Sequence, residues 1–272
     1  MAVKRKTYWL RVGDVIDVEE YHDGNYGAPG KQRVPKEKAT KEQIMKNNAR
    51  NKTQRCRRRL LEYFDSGDCF ATWTYQVSQR PEDMSAALKD FQKAMRIVRR
   101  EYKKRGRELR WIRNIERGTK GAWHIHLVVN EIGDTASILK EAWRKGGTYV
   151  SEIRLNDKIF DEDFSKLASY MTKNENTAEF SGEGKTRIRE SNYGTSKNMP
   201  LPEPKVDKLV RWKKDPKPKK GYYISSTHEG VNPVTGFLYR RYTMIRIRKE
   251  KKSVKRNAGR KAAEKLQRLP AG

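Results

Sequence analysis

ELRWIRNIERGTKGAWHIHLVVN, residues 108–130, is the stretch whose reading decides the fold. Its two ends are rich in Trp, Ile, Leu and Val, and a short Gly-containing loop separates them, a pattern that predicts two strands of a β-hairpin. Successive side chains of a strand point to opposite faces. Trp123, Ile125 and Leu127 therefore face a core, while His124 and His126 share the other side. Val or Ile would pack better there. The plain reading is two surface histidines; the chemical one is a pair of imidazole nitrogens converging on a divalent metal. A third ligand depends on register. If residues 118 to 122 form a five-residue loop, Glu116 lies directly across from His124, whereas a four-residue loop sets it opposite Trp123 on the wrong face.

Outward from this hairpin the elements follow a regular order. CFATWTYQV, from Cys69, reads as a strand. Pro81, Glu82 and Asp83 suit the first turn of a helix, which carries Met84, Leu88, Phe91, Met95, Val98 and Tyr102 on one stripe and ends near Gly106. After the hairpin, Asp134 is placed to cap a second helix with Ile138, Leu139, Ala142 and Trp143 inward. TYVSEIRL is a further strand, and Asp161 a cap for a third helix with Phe164, Leu167, Ala168 and Met171 inward. The order βαββαβ followed by a helix predicts an α+β fold, a central antiparallel sheet with helices on one face and the other face open.

The flanks are basic. Residues 1–60 read as an arm with one possible strand (TYWLRVGDVIDVEEY) and a basic helix through Arg55, Arg57, Arg58 and Arg59. Residues 61–200 form the core, and 201–272 a Lys/Pro linker (KKDPKPKK), a hairpin and a basic tail containing Lys251, Lys252, Lys255 and Arg256. With 62 Lys and Arg against 34 Asp and Glu, the net charge is +28, an excess that fits a polyanion, nucleic acid first. No stretch reaches transmembrane length, and neither a signal peptide nor a lipidation signal is apparent, so the expectation is no membrane partner and an intracellular protein. Cys56 and Cys69 are too few for a disulfide scaffold or zinc ribbon and read as reduced.

Two further features bear on chemistry. Tyr170 falls beside the apolar stripe of the third helix, with Lys173 and Asn174 one turn on. It is either a half-buried ring at the core's edge or a nucleophile whose phenol attacks phosphorus. A free phenol has a pKa of about 10, so a nearby metal or the Lys173 ammonium would have to favour the phenolate. SGEGKT at 181–186 is not a phosphate-binding loop, since Glu179 stands where that motif needs glycine and no apolar strand precedes it.

FATWTY, ERGTKGAWHIHLVV and SYMTK, in that order, resemble the three motifs of the HUH endonucleases, in particular the rolling-circle replication initiator (Rep) proteins of bacterial plasmids, phages and integrative elements. The resemblance spans about residues 69 to 175, and its middle motif is the specific one. It implies a cytoplasmic enzyme that nicks single-stranded origin DNA with Mn²⁺ or Mg²⁺, links Tyr170 to the 5′ phosphate, and later rejoins strands. His124, His126 and Glu116 would hold the metal, Lys173 would assist, and Arg55, Arg57, Arg58, Arg59, Asn174 and the tail cations would contact DNA. Only one tyrosine fits the third motif. Lacking a helicase segment, the protein would rely on a host helicase and DNA polymerase. A relaxase or single-strand transposase shares the same motifs, and a non-catalytic single-strand-binding module shares the fold and charge. The oligomeric state is not set by any of these features.

Overall fold

A computed structural model of the chain describes residues 3–22, 38–118, 121–155, 160–173, 176–180, 186–232 and 236–247, with the backbone alone for much of 176–191. Asn174, residues 181–185 of the SGEGKT stretch, and the tail with Lys251, Lys252, Lys255 and Arg256 lie outside the described residues.

The strands are β1 (Val3–Leu10), β2 (Val15–His22), β3 (Cys69–Thr74), β4 (Trp111–Arg117), β5 (Trp123–Val129), β6 (Thr148–Glu152), β7 (Asn176–Phe180), β8 (Thr186–Thr195), β9 (Lys205–Val210), β10 (Tyr222–Val231) and β11 (Leu238–Arg246). The helices are α1 (Lys41–Tyr63), α2 (Met84–Lys104), α3 (Thr135–Ala142) and α4 (Ser165–Met171). They build an α+β fold of two antiparallel sheets among the described residues. One has the order β6-β3-β5-β4-β8-β7, the other β10-β11-β2-β1-β9.

Alternation along β3, β4 and β5 sends Ala71, Trp73, Ile115, Trp123, Ile125, Leu127 and Val129 into one core, where they meet Phe91, Met95, Val98 and Tyr102 of α2 and Ile138, Leu139 and Ala142 of α3. These are the two stripes predicted from helical spacing. Their caps differ from the expectation. Asp83 lies before α2 rather than in its first turn, its carboxylate accepting from Ala86 N at 2.7 Å. Asp134 makes no capping bond and instead pairs with Arg105 at 2.6 Å; Glu131 takes the capping role, its Oε1 accepting from the backbone N–H of Ile132, Gly133 and Thr135. The third helix starts later than expected, at Ser165, with Phe164 before it at positive φ; Asp161 still reaches its first turn, accepting from Lys166 N at 3.1 Å.

The opposite face of the six-stranded sheet is open only in part. Ile112 and Val128 are covered by a second core formed by Cys56, Leu60 and Leu61 of α1, Leu167, Ala168 and Met171 of α4, and Leu10 and Val15 of the first hairpin. The helices on one face are thus α2 and α3, while α1 and α4 stand on the other because each also has an apolar stripe to bury.

The segment expected to hold one strand holds two, β1 and β2, turned around Arg11, Val12 and Gly13, all at positive φ. Arg11 accounts for the tight turn: its guanidinium donates to the carbonyls of Leu61 and Phe64 at the C-terminal end of α1, satisfying orphan acceptors there. β2 pairs with β11 and β1 with β9, so the first and last described strands share one sheet. Its inner face holds a buried charge cluster. Asp17 Oδ1 accepts from Arg57 Nη1 at 2.8 Å and its Oδ2 from Arg58 Nε at 2.8 Å. Arg57 also reaches Asp163 at 3.2 Å, and Arg58 reaches Glu19 at 2.6 Å.

Candidate active site

Register fixes the site. The β4–β5 hairpin closes on Arg117 opposite Trp123, with residues 118 to 122 between, so Glu116 stands directly across from His124 and Asn114 across from His126. Ala122 carbonyl accepts from Gly118 N at 2.8 Å within that loop. Cross-strand pairing extends these rows: Thr74, His124 and Glu116 form one, and Thr72, His126, Asn114 and Tyr193 the next. The row beyond is apolar, Phe70 with Val128 and Ile112, and lies under α1 and α4. Tyr193 of the second row packs against the edge of that core.

α4 brings Tyr170 to this edge. Its hydroxyl lies 2.8 Å from His126 Nε2, and its ring meets the imidazole at 4.9 Å and Phe70 at 6.1 Å, both edge-on. The Lys173 ammonium stands 4.1 Å from the Tyr170 ring centroid and 3.6 Å from Glu116 Oε2. His126 is buried, with Thr72 Oγ1 3.1 Å from its Nδ1. Burial pushes its imidazole down to about 4, against the pull of the Glu116 carboxylate, with His124 and Lys173 adding to the fall. His126 is therefore neutral near pH 7, the form that lends a lone pair.

Among the described residues no three His, Cys, Asp or Glu side chains already converge on a common point. The donor chemistry nonetheless fits a divalent cation: two imidazoles, one of them held neutral, and a buried carboxylate whose counter-ion, Lys173, is half-exposed on a flexible stem.

The predicted DNA contacts divide. Arg57 and Arg58, expected to meet DNA, are buried and committed to Asp17, Asp163 and Glu19. They face the same way as Leu60 and Leu61, so helix phase turns them inward. Arg55 is exposed and Arg59 half-buried. Both line a cavity of about 410 Å³ with Asn48, Asn51, Lys52 and Tyr193.

Sequence reasoning passed over Thr72, Asn114 and the amides of α1. Thr72 was within reach, since it alternates with the core residues Ala71 and Trp73. Asn114 is wholly buried, and neither of its amide atoms has a hydrogen-bond partner among the described residues. Such a group in a native interior is costly and usually marks a water, an ion or a functional role. Cys56 and Cys69 are free and buried, and burial pushes the Cys56 thiol up to about 12, as suits structural thiols. No helix among the described residues is long and apolar enough to cross a membrane.

Residues 68–175 match the family described as replication-associated protein ORF2. No curated protein and no solved structure gives a significant match to the chain.

Proposed function

We propose, on the premise of a core shared with the replication-associated ORF2 proteins, that this chain initiates DNA replication as an HUH-type endonuclease, nicking single-stranded origin DNA and rejoining it. The observation that carries the reading is the 2.8 Å approach of the Tyr170 hydroxyl to His126, beside Glu116 and His124 on one sheet face.

Tyr170 Oη is the nucleophile. It forms a bond to the scissile phosphorus as the bond from phosphorus to the 3′ oxygen breaks, leaving a 5′-phosphotyrosine and a free 3′ hydroxyl; reversal by a new 3′ hydroxyl rejoins strands. The Lys173 ammonium over the ring favours the phenolate and can neutralise charge on the phosphate. His126 Nε2 stands beside the phenol oxygen and positions it; as a metal ligand this nitrogen would give its lone pair to the cation instead, and the proton lost by Tyr170 ends on the departing 3′ oxygen. His124, His126 and Glu116 would hold Mn²⁺ or Mg²⁺, which when bound supplies Lewis-acid stabilisation of phosphate charge. Phe70 packs against both His126 and Tyr170 and fixes their mutual orientation. Arg55 and Arg59, beside Asn48 and Asn51, offer the strand a basic path from the site along α1. Host helicase and polymerase would act on the product.

Incubation with single-stranded DNA libraries and Mn²⁺ tests this. A covalent adduct should form with the native chain and vanish with Tyr170→Phe, while DNA binding stays nearly unchanged, because one hydroxyl adds little to an interface dominated by phosphate charge. An adduct that persists in Tyr170→Phe refutes the assignment.

A further inference from the structure

The KKDPKPKK segment, read from sequence as a linker, lies tethered across the outer face of the five-stranded sheet. Arg240 Nη1 donates to the Lys214 carbonyl at 2.9 Å, and Lys219 N approaches Met244 Sδ at 3.4 Å. Just before the segment, Trp212 stacks on His22 at 5.0 Å, with the Arg240 guanidinium 4.5 Å from its centroid. Pro216 and Pro218 fix φ between these anchors, so the exposed Lys213, Lys217 and Lys219 stand in a preset row rather than on a loose tether.

This row borders a cleft of about 220 Å³ whose floor includes Thr7, Trp9 and Ile16. Trp9 is 41% exposed, an unusual cost for an indole on a sheet face, and the Lys219 ammonium lies 4.4 Å from its centroid. The acid in the cleft, Glu20, is already matched by Arg5 and Arg240 at 2.6 and 2.7 Å, so the lysines set the sign of the surface. α1 and the inner face of the sheet separate this cleft from Tyr170.

We propose that this cleft is a second nucleic-acid site, which takes a single strand of DNA: phosphates along the Lys213, Lys217 and Lys219 row, and an unpaired base stacked on Trp9, where it displaces the Lys219 ammonium from the ring towards the phosphate. Lysines beside an exposed aromatic ring are the combination that grips unpaired nucleotides without reading their sequence. A cleft of this size admits one strand, whereas a duplex would meet the lysines alone and leave the indole unused. The site does not rest on the nicking chemistry at Tyr170, and neither readout below requires it.

The test uses the full chain with an oligodeoxythymidine carrying 5-bromodeoxyuridine. Irradiation followed by peptide mapping should find a crosslink on the peptide containing Trp9, abolished in Trp9→Ala. In parallel, the Lys213→Ala/Lys217→Ala/Lys219→Ala variant should lower the slope of log affinity against log salt by about 2, since each phosphate neutralised on a single strand adds about 0.7 to that slope. An unchanged slope with no crosslink at Trp9 overturns the proposal. A duplex of equal length that competes as well as the single strand, and loses as much affinity in the triple variant, overturns its single-strand assignment. The lysine substitutions are on the surface, so the slope can be read even if Trp9→Ala folds poorly.

Discussion

Replacing Asp17 by Asn would test what joins the two sheets. Asp17 is fully buried and receives two guanidiniums, Arg57 Nη1 and Arg58 Nε, each at 2.8 Å. Burial alone would raise its carboxyl, but those two cations outweigh it and hold it below the ordinary value. The amide keeps the shape and removes the charge, leaving two buried guanidiniums with less than their full compensation. Breaking a buried pair in this way costs about 3–5 kcal/mol, which multiplies the unfolded fraction between roughly a hundredfold and several thousandfold. In urea, with a slope of about 3 kcal/mol/M, the midpoint should fall by about 1–1.7 M with the slope unchanged. The matched control is Asp134→Ala, which removes an exposed partner of Arg105 and should cost less than about 1 kcal/mol. If Asp17→Asn costs no more than that control, the cluster is solvated and the sheets are held by apolar contacts alone. The same reasoning fixes the pH dependence: a carboxyl held below its ordinary value stabilises the fold at neutral pH, and that contribution fades as acid protonates it.

Three other outcomes follow from the site and its frame. His126 titrates near 4 in the fold against 6.5 unfolded, so the unfolded chain binds the extra proton in between; stability should fall by about 3 kcal/mol as pH drops from 6.5 to 4, and His126→Gln should flatten this part of a pH–stability curve. Asn114→Leu removes the unpartnered buried amide, so it should leave stability within about 1 kcal/mol or raise it while lowering the rate of nicking; a variant that nicks normally would make Asn114 a purely structural residue. Gly146→Ala would set a Cβ 2.1 Å from the Thr74 carbonyl oxygen, at the point where β3 meets the loop before β6, and should destabilise by at least about 1–3 kcal/mol in thermal or urea unfolding.

The parts of this molecule that sequence made legible are those governed by local periodicity. Alternation assigned His124 and His126 to one face, while Glu116 stood across from His124 only on condition of a five-residue loop, the register the structure has. The helical stripes of α2 and α3 were readable because each buries a face against strands close in sequence. What was not legible is long-range. Arg57 and Arg58 read like Arg55 and Arg59 until Asp17, forty residues earlier, is known to face them; their position one turn before Leu60 and Leu61 was the available signal. The second sheet pairs β2 with β11 across more than two hundred residues, and no local pattern encodes such a pairing. The lysine segment looked like a linker because its anchors, Arg240 and Met244, lie on a strand that follows it.

These long-range contacts also bear on Tyr170. α4 is only seven residues long, too short to hold its own position in water, yet a nucleophile must stand within a fraction of an ångström of its place. Both its ends are fixed by α1. At the start, Asp163 pairs with Arg57 while its Oδ1 accepts from Ser165 N at 3.1 Å; at the end, Thr172 Oγ1 lies 2.7 Å from Thr53 Oγ1. Arg57 itself is anchored by Asp17 of β2. The chain of contacts therefore runs from the five-stranded sheet through α1 to the tyrosine, and the buried charges act as a frame for the site as well as a seam between sheets. On this account the second sheet is needed for the geometry at His126 even though it supplies no residue to it.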